Sequence, residues 1–85
     1  MNISQDLIDF LKINGFTHTQ DTKHNFTNKH CHITILEDAD EFRGLYRYYC
    51  VESELGQTYS SNLEIYWLIG YLTYYGYMDK DYKKP

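Results

Sequence analysis

Three observations place this 85-residue chain in the α+β class. Apolar residues recur at helical spacing near each end, they alternate strictly between those ends, and glycines and acidic clusters punctuate the alternating runs at hairpin intervals. The expected order is α-β-β-β-β-α, an antiparallel sheet of three to four strands with an N-terminal and a C-terminal helix packed on one face. The length permits a single core burying about 60–65% of the extended chain's surface, with no room for a second. Residues 1–78 are expected to form this domain. Residues 79–85, with Lys80, Lys83 and Lys84, are expected to be a frayed basic tail.

The first helix is read from Asn2 as cap with Gln5 at capping-box spacing, followed by the stripe Ile3, Leu7, Phe10 and Leu11. Gly15 ends it in a left-handed conformation, and Phe16 folds back on Leu11. From Phe16 to Asn28 the threonines Thr17, Thr19, Thr22 and Thr27 lie among polar residues, a pattern of short edge strands joined by a turn. His30 to Leu36 is a strand with Cys31, Ile33 and Ile35 facing inward. An acidic turn, Glu37 to Glu41, leads into a tyrosine-rich strand from Phe42 to Val51.

The register of this hairpin follows from the binary pattern. An even loop, Glu37–Asp40, puts Phe42, Gly44, Tyr46, Tyr48 and Cys50 on the face of Ile33 and Ile35, and avoids burying Arg43 and Arg47. His30, His32, Arg43, Leu45, Arg47 and Tyr49 then share the opposite face. In that register Cys31 and Cys50 are roughly 13 Å apart along the sheet, beyond the ~7 Å between Cα atoms that a disulfide tolerates. Leu55-Gly56 is a second turn, returning as a strand through Gln57, Thr58 and Tyr59. The last helix is read as Leu63 to Tyr75, capped by Ser61 with Glu64 three residues on and ended by Gly76.

This last helix is apolar nearly all round. Leu63, Tyr66, Trp67, Gly70 and Tyr74 form one stripe; Ile65, Leu68, Ile69, Leu72 and Tyr75 form another. One sheet cannot cover both, so either the first helix packs on the second stripe or part of the surface serves a partner. Tyrosine supplies large, rigid contact area at low entropic cost. The expected partner-binding residues are therefore Tyr66, Tyr71, Tyr74, Tyr75 and Tyr77, with a homodimer through this helix equally served. The acidic groups Glu37, Asp38, Asp40 and Glu41 join them as a face for a basic partner, where they would displace or imitate phosphate.

Twelve acidic and eight basic residues give a net charge of −4, which disfavours wholesale binding to a phosphate backbone. A local exception is the expected face of His30, His32, Arg43, Arg47 and Tyr49, where two arginines beside an aromatic suit single-stranded RNA. The bland reading pairs those arginines with acids such as Glu52 and Glu54. His30 and His32 share a strand face and, with His18 or His24, have the donor types of a zinc site, yet no accompanying ligand motif supports one. Neither metal nor cofactor is expected. Cys31 cannot pair with His30 or His32 as a nucleophile, because adjacent strand residues point to opposite faces. With no phosphate-cradling glycine loop, nucleophile elbow or dinucleotide fingerprint, catalysis is not expected.

The start of the chain, Met1 to Ile13, has no basic leader, and the longest apolar run, Ile65 to Leu72, is far shorter than the roughly 20 residues of a membrane span. Two cysteines are too few for a disulfide-held domain, so both are read as reduced thiols in a cytoplasm. In size, acidity, its ten tyrosines and the segment Tyr66-Trp67-Leu68-Ile69-Gly70-Tyr71-Leu72, the chain resembles the small phage-encoded anti-defence proteins, anti-CRISPR proteins among them. That resemblance implies a protein that disables a host nuclease, such as a CRISPR effector or its ribonucleoprotein complex, by contact instead of catalysis.

Overall fold

A computed structural model describes residues 3–85: α1 (Gln5–Ile13), β1 (Thr17–Gln20), β2 (His24–Thr27), β3 (His32–Asp40), β4 (Gly44–Ser53), β5 (Gly56–Ser60) and α2 (Ile65–Tyr74). The class is α+β, as the sequence implies. The sheet has five strands instead of three or four, in the meander order β1-β2-β3-β4-β5 with every pair antiparallel.

Both helices end through the same backbone motif. The amide of Phe16 donates to the Leu11 carbonyl at 3.0 Å around left-handed Gly15, and that of Tyr77 donates to the Leu72 carbonyl at 2.8 Å around left-handed Gly76. Their starts differ from expectation. The Asn2 cap lies outside the described residues, and Ser4 occupies the cap position of α1. At α2 the expected Ser61 box is not made. The Ser60 hydroxyl accepts the Asn62 amide and the Asn62 side chain accepts the Glu64 amide, so local turns hold the chain until Glu64, the residue before the helix.

The core lies between one sheet face and the two helices. Leu7, Phe10 and Leu11 of α1 and Leu68 and Leu72 of α2 pack with Phe26, Ile33, Ile35, Tyr49 and Val51 of the sheet. Trp67 stacks between Tyr49 and Tyr71, with ring centroids at 5.9 and 5.1 Å. The Tyr49 hydroxyl, deep in this layer, donates to the Leu63 carbonyl at 2.9 Å, as a buried phenol must. The 79–85 segment, expected to fray, is tied back to α1. Asn14 exchanges two 2.8 Å hydrogen bonds with the Lys83 backbone, and Tyr82 sets its ring edge-on to Phe10.

The β3–β4 register is the opposite of the expected one. Ile35 faces Tyr49 and Ile33 faces Val51, so Tyr49 is core, while Tyr46, Tyr48 and Cys50 share the other face with His32, Thr34 and Leu36. The cause is in the turn. The last pair is Asp40 with Gly44, which leaves a three-residue loop closed by Gly44 at φ +66°, the usual three-residue hairpin with a left-handed residue re-entering the strand. One Asp40 carboxylate oxygen accepts the amides of both Phe42 and Arg43. The odd loop does not bury the arginines, because this end of the hairpin runs past the helices that would cover it.

Candidate functional site

β3 and β4 have nine and ten residues, whereas the neighbouring strands have four and five. β2 pairs with β3 only as far as Ile35, and β5 pairs with β4 only as far as Tyr49. Residues 36–48 therefore form a two-stranded arm of five cross-strand pairs, with neither edge hydrogen-bonded to another strand. It extends the molecule to 41 × 27 × 22 Å. A two-stranded ribbon is marginal in water unless side chains fasten it, and here ion pairs do so. Arg47 Nε meets Glu37 Oε2 at 3.0 Å on the helix-side face, and Arg43 Nε meets Asp40 Oδ2 at 2.7 Å at the turn. Hydrogen bonds from the Arg43 amide and side chain hold the Asp40 carboxyl below its usual range.

The arm also carries exposed apolar surface. Phe42 at the tip is 95% exposed and Leu45 is 67% exposed. The Arg43 guanidinium carbon lies 3.7 Å from the centre of the Tyr46 ring. Tyr46, Tyr48 and Tyr59 continue in a row with centroid spacings of 5.9 and 6.0 Å across the sheet face that bears no helix. A shallow recess lined by Arg43, Tyr46, Tyr48, Tyr59, Ser60 and Ser61 adjoins them. Arg43, Tyr46, Tyr48 and Tyr59 thus make one surface on the helix-free face, with Phe42 at the tip and Leu45 exposed on the opposite face of the arm, in residue types that are common at protein interfaces.

The expected partner residues divide. Glu37, Asp38, Asp40 and Glu41 do gather on the arm, but Glu37 and Asp40 are engaged by arginines, so its more open negative groups are Asp38 and Glu41. On α2, Tyr66 is 74% and Tyr74 81% exposed, and Tyr75 is exposed beyond its end. Tyr71 and Tyr77 are half-buried and donate hydroxyl hydrogen bonds to Thr58 and Ser53, which makes them braces between α2 and the sheet. The helix is thus neither fully enclosed nor evenly open.

The expected RNA face does not come together. Tyr49 is core, Arg47 is on the helix-side face with Glu37, Arg43 is over Tyr46, and His30 lies in the loop before β3 with its ring 6.2 Å from Tyr77. His32 is on the helix-free face in the body of the sheet, bonded to Thr27 Oγ1 and Asn25 Oδ1, away from Arg43 at the arm's turn. The arginines pair with Asp40 and Glu37, not with Glu52 or Glu54.

The histidines are not one cluster either. His18 Nε2 and His24 Nδ1 share a 2.9 Å hydrogen bond, and among the described residues no three potential metal ligands converge. Burial, then His24 and Lys12, lowers the His18 pKa. Both thiols are free; burial pushes Cys31 up to about 11 and also raises Cys50, which makes poor nucleophiles of both.

Sequence reasoning missed the Tyr46–Tyr48–Tyr59 row and Phe42 because the even loop assigned Phe42, Tyr46 and Tyr48 to the core face. The signal that finds them is Asp40 with Gly44 four residues on, a carboxylate acceptor and a left-handed residue bracketing a three-residue turn. No helix among the described residues is long and apolar enough to cross a membrane. Compared with protein-family models, curated proteins and solved structures, the chain matches none.

Proposed function

We propose that the chain is a non-catalytic protein-binding module that engages its partner with the β3–β4 arm. The partner we infer is a nucleic-acid-handling enzyme of a host cytoplasm, of the CRISPR effector kind that the compositional resemblance implies. The observation that carries this reading is the nearly complete exposure of Phe42 at the end of a projecting ribbon that also carries two arginines, Tyr46 and Tyr48 beside its acidic residues. A large ring held out in water at a turn whose backbone is held by Asp40 contributes nothing to the core and is placed for insertion into an apolar pocket. Around it, Asp38 and Glu41 favour a partner whose pocket has a basic rim, as a groove built for phosphate does. The raised thiol pKa values and the two carboxylates held by arginines support contact instead of chemistry as the mode of action.

A photo-crosslinking residue placed at Phe42 in host cells tests the proposal, with the same residue at Thr19 on the far strand as control. The expected result is an adduct at position 42, absent at position 19, that contains a nucleic-acid-handling enzyme and forms equally well after nuclease treatment. Adducts of equal yield at both positions, or one that needs intact nucleic acid, would overturn it, the latter in favour of RNA contact.

A further inference from the structure

We propose that two copies of the chain pair through the outer face of α2, crossing at Gly70. The inference is independent of the arm. Gly70 lies within the helix, and unlike the four glycines at turns and helix ends it does not have a positive φ. A β-carbon built there meets no atom within 4 Å. Nothing inside the monomer requires glycine at this position, although an interior glycine costs about 1 kcal/mol relative to alanine. What the glycine creates is a depression in the outer surface, bounded one turn away on either side by exposed Tyr66 and Tyr74. Such a depression lets a second helix backbone approach closely.

The occupant that fits is a second copy. The span from Ile65 to Tyr74 contains no charged residue, so two such faces do not repel. The flanks are complementary under a two-fold axis. At the Tyr66 end the surface recess includes Asp6 and Asp9, with Lys84 beside them; at the Tyr74 end it includes Lys80. Antiparallel helices crossing at Gly70 bring the Asp6 and Asp9 end of each copy over the Lys80 end of the other, so the contact is made twice. The area is adequate. The two tyrosines offer about 300 Å² per copy, and with Ile13, Ile69 and Tyr82 alongside the total approaches the roughly 1,000 Å² that marks the lower bound of a specific interface, counted over both partners.

Sedimentation velocity of the full chain over a wide concentration series tests this directly. The expected result is a reversible monomer–dimer equilibrium that Gly70→Leu and Tyr74→Ala each weaken by about tenfold or more, while Phe42→Ala leaves it unchanged. Because position 70 opens to solvent, Gly70→Ala keeps or raises the melting temperature, so any loss of dimer is not a loss of fold. Oxidised Gly70→Cys is expected to give a disulfide-linked dimer. A chain that is monomeric at every concentration overturns the proposal and leaves this face to a heterologous helix. A dimer indifferent to Gly70→Leu and Tyr74→Ala overturns it as well.

Discussion

The near half of the β3–β4 hairpin and its far half obey the same alternation and end in opposite environments. Ile33, Ile35, Tyr49 and Val51 are wholly buried, whereas Ala39 and Leu45, continuing the same face, are exposed. The difference is coverage. α1, α2, β2 and β5 surround the first set, and none of these strands pairs with the second. Alternation states which side chains share a face; the length of neighbouring elements decides whether that face is core or contact surface.

The contrast can be broken from the body side first. Leu68→Ala removes a fully buried side chain between α2 and the sheet and is expected to cost about 2–5 kcal/mol, enough to lower the melting temperature sharply or abolish cooperative unfolding. Phe42→Ala is expected to move stability by less than about 0.5 kcal/mol, as a surface change does. If the two losses were similar, the arm would belong to the core and the comparison would fail.

Smaller effects sharpen it. Tyr49→Phe leaves the ring in place but strips the Leu63 carbonyl of its donor, an expected loss of about 1 kcal/mol in denaturant titration. Gly44→Ala forces a β-carbon into the left-handed region at the arm's turn, expected to cost about 1 kcal/mol and to speed amide exchange in the arm ahead of the body. Arg47→Ala removes the brace to Glu37, a partly exposed pair worth at most about 1 kcal/mol and less in high salt.

The β1–β2 hairpin is expected to respond to acid. The folded state holds the His18 pKa below the usual 6.5, chiefly through burial. The unfolded chain therefore takes up this proton first, so stability is full above that value and declines as pH falls through it toward the folded pKa. Melting temperatures measured from about pH 7.5 down to about pH 5 are expected to fall, and His18→Gln is expected to flatten the slope.

Much of the fold was legible from local physics. The stripe Leu7, Phe10, Leu11 and the terminal Gly15 and Gly76 locate both helices, and Ile33 and Ile35 locate the central strand, because each depends on neighbours only a few residues away. The site was legible only in part. The gathering of the acidic residues at the hairpin end and the exposure of Tyr66, Tyr74 and Tyr75 follow from local pattern. The pattern assigns Tyr46 and Tyr48 to the wrong face, because an even loop is the way to keep the arginines out of a core that covers the whole hairpin. The hairpin instead overhangs the helices, and strand overhang is set by distant elements that periodicity does not encode. The bonding of Asn14 to Lys83 is likewise a contact between the two ends of the chain that no local window reveals.

Hydrogen–deuterium exchange of the free chain and of its complex with whatever protein a crosslink at position 42 captures addresses the central claim most directly. In the free chain, amides of Ile33, Ile35, Tyr49 and Val51 are expected to be strongly protected and those of residues 37–46 to exchange fast. In the complex, new protection is expected to concentrate in residues 37–46. New protection confined to α2, with the arm still exchanging freely, would contradict the assignment of the arm as the contact element.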